Sequence, residues 1–368
     1  MFTIRKLRAL LAVLLLTLST PGCIGSLGPR SVELTRNHYN MAAQETTAQE
    51  LLMNLVRLRY RDTPYFLQIA SLSSNLKLGA ELGASGSLPS SGPRIATIEG
   101  IVGYEESPTV TYVPLVGDRF VSQLLEPVDL GVLMLLSHSG WSVDRFLRLL
   151  VQEINGIPNA PSASGPTPTE EPVFEEFLRV AELFRILQRD RRLALTQGIS
   201  GMEETQTPRR TYLHFTAEAL ETPEFRELAR RLRLEEDRRI FELAVGLGSH
   251  DPTRITIVPR SVLSALFYAS QGVEVPLQDL EEGRVTRTRR STGQPFDWQR
   301  LTGSLIRIRS GDPPKTVYSA IRYRGSLFYI DDSDLESKST FSMLNLVLAL
   351  QAGDLPSTGP LLTLPVSQ

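Results

Sequence analysis

The residues that could do chemistry in this chain are few and far apart. Its four histidines are His38, His138, His214 and His250. None stands in an HExxH, and no CxxC accompanies them, so the spacings that bring ligands to one side of a zinc ion are missing. His138 closes an apolar helical stretch with no ligand-type neighbour at i+4, and reads as a helix-end histidine. Neither a GxSxG elbow nor a Walker phosphate loop occurs. Asp332-Ser333-Asp334-Leu335-Glu336 alternates acids as a calcium loop does, but lacks the glycine at its sixth position and the glutamate at its twelfth. The same residues spell a helix cap. Asp331 and Asp332 are adjacent, and adjacent strand residues face opposite ways, which is wrong for a pair flanking a glycosidic bond. Arg284, Arg287, Arg289 and Arg290 form the densest charge cluster, in a loop rich in Thr, Ser and Gly. A solvated loop explains it; the functional alternative is contact with an anionic headgroup or an acidic partner. No catalytic set, metal site or cofactor site follows from these residues, and a hydrolase with an unrecognised site is the last alternative.

One further residue carries chemistry of a different kind. Cys23 is the only cysteine in 368 residues. It follows a basic segment (Arg5, Lys6, Arg8), an uncharged run from Ala9 to Thr20, and Gly22. A basic start, a short apolar core and a small residue before the cut make an export signal. The run of 12 residues is too short to cross a bilayer as a helix, which takes about 20. Thr20-Pro21-Gly22-Cys23 resembles a bacterial lipobox, with Thr20 where Leu is usual. The resemblance implies removal of residues 1–22 and acylation of Cys23. Ile24, in place of an aspartate, implies the outer membrane, facing the periplasm. The alternative is an ordinary secretory signal that leaves a stray thiol, a liability in an oxidising compartment.

Composition bounds the rest. Loss of residues 1–22 removes three basic and no acidic residues, so the net charge of −2 becomes −5. That and export both argue against a nucleic-acid partner. The 41% hydrophobic and 22% charged content is that of a globular protein. Without a second cysteine, stability must come from packing.

The elements that would position these residues read as follows. Residues 23–45 are a polar tether. Thr47 to Glu50 is a capping box that opens a helix with Leu51, Leu52, Leu55 and Leu58 at helical spacing, ended before Pro64. Arg57, Arg59, Arg61 and Asp62 crowd its end. From Leu76 to Ser85 apolar and polar residues alternate, the period of a strand with one apolar face. With 95–104 and 109–113 this predicts a long hairpin at 65–113, turning at 85–93. Such strands also suit a membrane barrel, so a hairpin shared among subunits of a pore is one alternative. Short helices follow over 118–155, the last capped by Ser142 and running to Gly156. Residues 156–172, with five prolines from Pro158 to Pro172, read as a linker or long exposed loop. Helix 173–190 begins an α+β half, 173–353. Its strands are expected at 212–215, 240–247, 255–258, 305–308, 317–323 and 327–330. Helices are expected from Thr222-Pro223-Glu224 and over 261–271, and a helix over 334–352, apolar nearly all round, is expected to be central and buried. A Pro-rich tail, 354–368, closes the chain.

Three stretches, LLMNLVRLRYRDTPYFL (51–67), PTVTYVPLVGDRFVSQLLEPV (108–128) and VYSAIRYRGSLFYIDDSDLESKSTFSMLNLVLALQ (317–351), resemble a family of uncharacterised bacterial envelope lipoproteins. The resemblance implies an envelope lipoprotein and supplies no catalytic residues. The expectation is an α+β fold: an antiparallel sheet with packed helices in the C-terminal half, and helices with a β-hairpin in the N-terminal half. The expected partners are the membrane, through the lipid, and another envelope protein. The role is structural or interactive, with the oligomeric state open.

Overall fold

The computed structural model describes residues 27–86, 96–115, 118–198, 210–247, 251–352 and 362–365. The export signal, the lipobox-like tetrapeptide and Cys23 lie outside the described residues, as do the hairpin turn, His250 and most of the tail. By contacts the chain divides into a unit ending at Leu52 and a unit from Met53 to Gln368.

In chain order the elements are α1 (Leu27–Arg59), β1 (Leu67–Gly86), β2 (Ala96–Pro114), α2 (Asp118–Leu125), α3 (Leu130–His138), α4 (Val143–Leu150), β3 (Val151–Ile154) and β4 (Ile157–Pro158). After a 3-10 turn at Pro161–Ser164 come α5 (Glu175–Arg189), β5 (Leu193–Gly198), β6 (Arg210–Phe215), α6 (Ala217–Leu220), α7 (Pro223–Leu232), β7 (Ile240–Val245) and β8 (Arg254–Pro259). The last third holds α8 (Val262–Ser270), α9 (Leu277–Glu281), α10 (Gln299–Thr302), β9 (Arg309–Ser310), β10 (Val317–Tyr323), β11 (Ser326–Asp331), α11 (Leu335–Ala352) and β12 (Leu362–Pro365). The fold is α+β.

Helix α1 starts well before the capping box. No proline or glycine interrupts residues 30–63, so nothing stops the helix from propagating toward its N-terminus. The Thr47 hydroxyl donates back to the Ala43 carbonyl at 2.8 Å, inside the helix. The segment expected as a tether is therefore helical from Leu27. Residues 37–47 of it are mostly exposed, in keeping with their polar composition. The far end is tied down by Asn54, which donates to the Tyr65 carbonyl at 2.8 Å and accepts from the Tyr65 amide at 2.9 Å.

The long hairpin forms as the period-two pattern predicts. Strands β1 and β2 pair antiparallel from Leu67↔Pro114 to Gly86↔Ala96, with one irregularity between Ile69 and Ser71. Strand β12 adds to the base only, pairing with residues 109–112 of β2.

The main sheet has six strands in the order β4-β3-β8-β7-β6-β5. Only β7 and β8 are parallel; the other neighbours are antiparallel. Helices α4, α5 and α7 pack together, burying Phe146, Leu150, Phe177, Phe184, Phe225 and Leu228, and the sheet contributes Phe241, Ile255 and Ile257 to the core. The helix starts at α3 and α7 are those expected. Asp129 accepts from the Gly131 amide at 2.6 Å and Thr222 from the Phe225 amide at 3.2 Å. A second sheet, β10-β11-β9, turns at Arg324-Gly325, where both residues have positive φ (48° and 87°), as a tight hairpin requires.

Four further expectations are corrected. The helix after Ser142 ends at Leu150, and Val151–Ile154 is strand. Asn155-Gly156, with φ of 45° and 81°, is a two-residue hairpin turn that pulls these residues into the β3–β4 pair. The Pro-rich stretch is not an exposed linker: Asn159, Ala160 and Ala163 are fully buried. Proline brings no N–H into the interior, and the carbonyls are met by arginine, as described below. Residues 305–308 are not a strand; the pairing shifts to β9. Helix α11 is not buried all round. Phe341, Met343, Leu344 and Val347 are, whereas Leu346 and Leu350 are 45% and 50% exposed.

Candidate functional site

Acid–base chemistry in this fold concentrates where α1 ends against the β10–β11 turn. Tyr60 is buried, and its hydroxyl donates to Asp279 Oδ2 at 2.5 Å. Asp279, itself buried, also receives Arg284 Nη1 at 2.7 Å. Two residues along, Asp62 accepts from the Tyr323 hydroxyl and from Arg324 Nη2 at 3.0 Å. The Arg324 guanidinium lies 5.4 Å from the Tyr60 ring centre and 5.5 Å from that of Tyr323. The two rings meet edge to face at 5.5 Å.

The electrostatics lock this cluster in one protonation state. Burial, then the hydrogen bond and the charge of Asp279, push the Tyr60 hydroxyl well above the usual phenol range. Burial and Asp62 raise Tyr323 in the same way. Burial alone would raise Asp62, but the Tyr323 hydroxyl and Arg324 outweigh it and hold the carboxyl below its ordinary value. At neutral pH both phenols are protonated donors and Asp62 is a carboxylate acceptor. A general base needs a pKa near the working pH, and these groups are driven away from it. The cluster ties three chain segments together.

Beside it, Arg59 is buried without a carboxylate. Its Nη1 donates to Thr167 Oγ1 at 2.8 Å, and burial pulls its pKa down to about 10. Arg61 adds a bond to the Thr167 carbonyl at 3.0 Å. Arg260 is an extreme case. It is 1% exposed and stacks 4.1 Å over Tyr268. It donates to the carbonyls of Arg148, Leu149, Val151 and Asn159 and to Ser164 Oγ. Sequence reading named Arg59 only as part of a crowded helix end, and missed Arg260. An arginine directly before the Ser261 helix cap gives no local sign that it will turn inward.

The four loop arginines do not present one face. Arg284 is paired with Asp279 and Glu282. Arg290 lies 3.9 Å from Glu171. Arg289 donates to the Gly293 carbonyl at 3.0 Å, and its backbone bridges to Glu170 and Pro295. Arg287 is exposed. The acids weighed as a calcium loop are spent locally. Asp331 accepts from Ser333, Asp334 caps α11 through the Ser337 amide at 3.0 Å, and Asp332 pairs with Lys338 at 2.7 Å. Among the described residues no group of three His, Cys, Asp or Glu side chains is placed to hold a metal. His138 Nε2 meets the Leu195 carbonyl at 2.9 Å.

Two cavities stand out. One, of about 20 Å³, is walled by apolar core side chains such as Leu133, Phe146 and Ile257, and is a packing gap. The other is an open cleft of about 490 Å³ bordered by Pro276, Asp312, Arg322 and the Gly325 turn. Ser310 and Ser326 line it beside the one acid and the one guanidinium.

The longest open strand edges among the described residues lie on the long hairpin. Strand β1 is the edge of its sheet, and β12 covers β2 only at its base. Among the described residues no strand pairs with β1 on its outer side, or with β2 from Ala96 to Pro108. No helix among them is long and apolar enough to cross a membrane. No protein-family model, no curated protein and no solved structure matches the chain.

Proposed function

We propose that this chain is an envelope protein, anchored by lipid on Cys23, whose role is structural or protein-interacting. The observation that carries the interaction role is the hairpin. Among the described residues no strand covers the outer side of β1 from 68 to 86 or of β2 from 96 to 108, and soluble proteins cover or blunt such long edges. The charged clusters point the same way, because their acids and phenols are already bound to one another. The lipobox-like sequence supports the anchor.

The test is expression of the full-length protein with its own leader, with Cys23→Ala alongside. The parent should incorporate labelled palmitate and sediment with outer-membrane vesicles, and the variant should incorporate no palmitate. Label-free parent protein in the soluble fraction would refute the anchor.

A further inference from the structure

We infer that the outer half of the hairpin, residues 78–86 and 96–104, is one stave of a membrane-spanning β-barrel assembled from several copies of this chain. The inference rests on the envelope reading above.

The register sorts the hairpin into two unlike faces. Directly opposed residues of an antiparallel pair share a face. One face carries Leu78 with Tyr104, Ala80 with Val102, Leu82 with Gly100, Ala84 with Ile98 and Gly86 with Ala96. It has no charge over nine residues of each strand. Glu106, opposite Leu76, ends it on the base side. The other face carries Lys77 with Glu105, Glu81 with Ile101 and Gly83 with Glu99. All four of its charges alternate with the apolar positions of the first face. A spanning β-strand takes about 9–11 residues with lipid-facing and lumen-facing positions in alternation, and the uncharged stretch has that length and period.

The composition changes in step. Arginines make up 35 of the 39 basic residues of the chain, yet neither strand contains one. Arginine on a lipid face costs about 2–4 kcal/mol at mid-bilayer, so its absence is compatible with lipid.

The occupant of the open edges is a second copy. A partner must satisfy the outer side of β1 and the outer side of β2 above Thr109, and must keep the uncharged face on one side throughout. An identical hairpin does both, because its β2 meets β1 of its neighbour antiparallel, as within the hairpin itself. Lys77 on one edge and Glu105 on the other stand at the same level, so copies that meet in the hairpin's own register set opposite charges together at its base. A closed ring has no edge left. Outer-membrane barrels begin at about eight strands, so at least about four copies are needed. Within the stave the inner face carries Glu81 and Glu99 and no basic residue, so the lumen is acidic and favours cations.

The test uses single cysteines in the full-length protein reconstituted into liposomes. If Cys23 is acylated, the parent protein takes up no thiol probe. An environment-sensitive dye is placed in turn at 78, 80, 82 and 84 and at 77, 79, 81 and 83. Positions 78 to 84 of even number should be blue-shifted and quenched by nitroxide lipids, and the odd positions should remain aqueous. Planar-bilayer conductance should favour cations, and Glu81→Gln with Glu99→Gln should bring the permeability ratio toward one. An acylated, membrane-bound protein whose dyes are all aqueous, or whose native mass in detergent is that of a monomer, overturns the barrel and leaves the anchor standing. A soluble parent with a reactive Cys23 overturns both.

Discussion

Replacing Arg260 with methionine sets two opposed effects against each other, and the structure predicts which one wins. The guanidinium sits in the dry interior with no carboxylate near it, and burial lowers its pKa to about 10. That displacement corresponds to about 3 kcal/mol acting against the charged form, which methionine would relieve. Against this stand the carbonyls. Asn159 Nδ2 also serves those of Arg148 and Val151, at 2.8 and 2.6 Å. The carbonyls of Leu149 and Asn159 depend on Arg260. Two buried acceptors left unpaired cost about 1–3 kcal/mol each. Loss of the stacking on Tyr268 adds about 2 kcal/mol for a desolvated pair. The balance is a net destabilisation of about 3 kcal/mol, a large part of a typical domain stability of about 5–15 kcal/mol.

Urea unfolding of the full chain in mild detergent, followed through Trp141 and Trp298, measures this difference directly. Arg260→Lys should recover little of the loss, because it keeps the charge in the same dry site while one ammonium cannot span Ser164 and four carbonyls. A methionine variant as stable as the parent, or more stable, would refute the reasoning. Desolvation would then outweigh carbonyl satisfaction, and the arginine would not be what holds the Pro-rich stretch in place.

The ion pair between α5 and α7 gives a pH test. Arg179 holds Glu227 through two bonds of 2.9 and 2.6 Å, Arg231 adds a third at 2.9 Å, and these bonds lower the Glu227 carboxyl to about 2. A folded-state value below the unfolded one means stability present above about pH 4.5 and lost as pH falls toward 2. With Arg179 over a third exposed, screening leaves about 1 kcal/mol; Glu227→Gln should cost that at pH 7 and less than half of it at pH 3 in urea titrations, and an equal cost at both would refute the assignment. Tyr60→Phe removes one donor from buried Asp279 and leaves Arg284 in place, so a loss of about 1–2 kcal/mol is expected. A loss below about 0.5 kcal/mol would show that the Tyr60–Asp279 bond is not formed in solution.

What the sequence disclosed was periodic or local. The alternation from Leu76 to Ser85 fixed the hairpin because period two is a property of neighbouring residues. Thr222-Pro223 and Asp129 marked helix starts because capping is satisfied within three residues. The misses have two sources. Asn155-Gly156 was a legible hairpin signal, overridden by an apolar pattern that also fits a helix. Thr47–Glu50 was a legible cap that the chain does not use, because no helix breaker precedes it as far back as residue 30. The Tyr60–Asp279 and Tyr323–Asp62 bonds join residues more than 200 positions apart, and no local rule reports such a pair. The loop arginines looked like one cluster although Asp279 and Glu282, which pair with Arg284, stand within five residues of it; sequence distance hides only Glu171, which meets Arg290.

The near-exclusion of lysine explains how a cysteine-poor, proline-rich chain closes its interior. Arg59, Arg148 and Arg260 are each buried without a carboxylate and bound to hydroxyls and carbonyls from distant segments. A guanidinium carries five donors in a fixed fork and is less strongly hydrated than an ammonium. It can therefore take up carbonyls that irregular, proline-rich backbone leaves without an amide partner. Such a device needs walls that supply carbonyls from several directions, and a two-stranded hairpin has none to spare. Its polar groups are already paired within the ladder or open at the edge. Arginine thus stabilises this chain where carbonyls surround it, and β1 and β2, each with an open edge among the described residues, offer no such site.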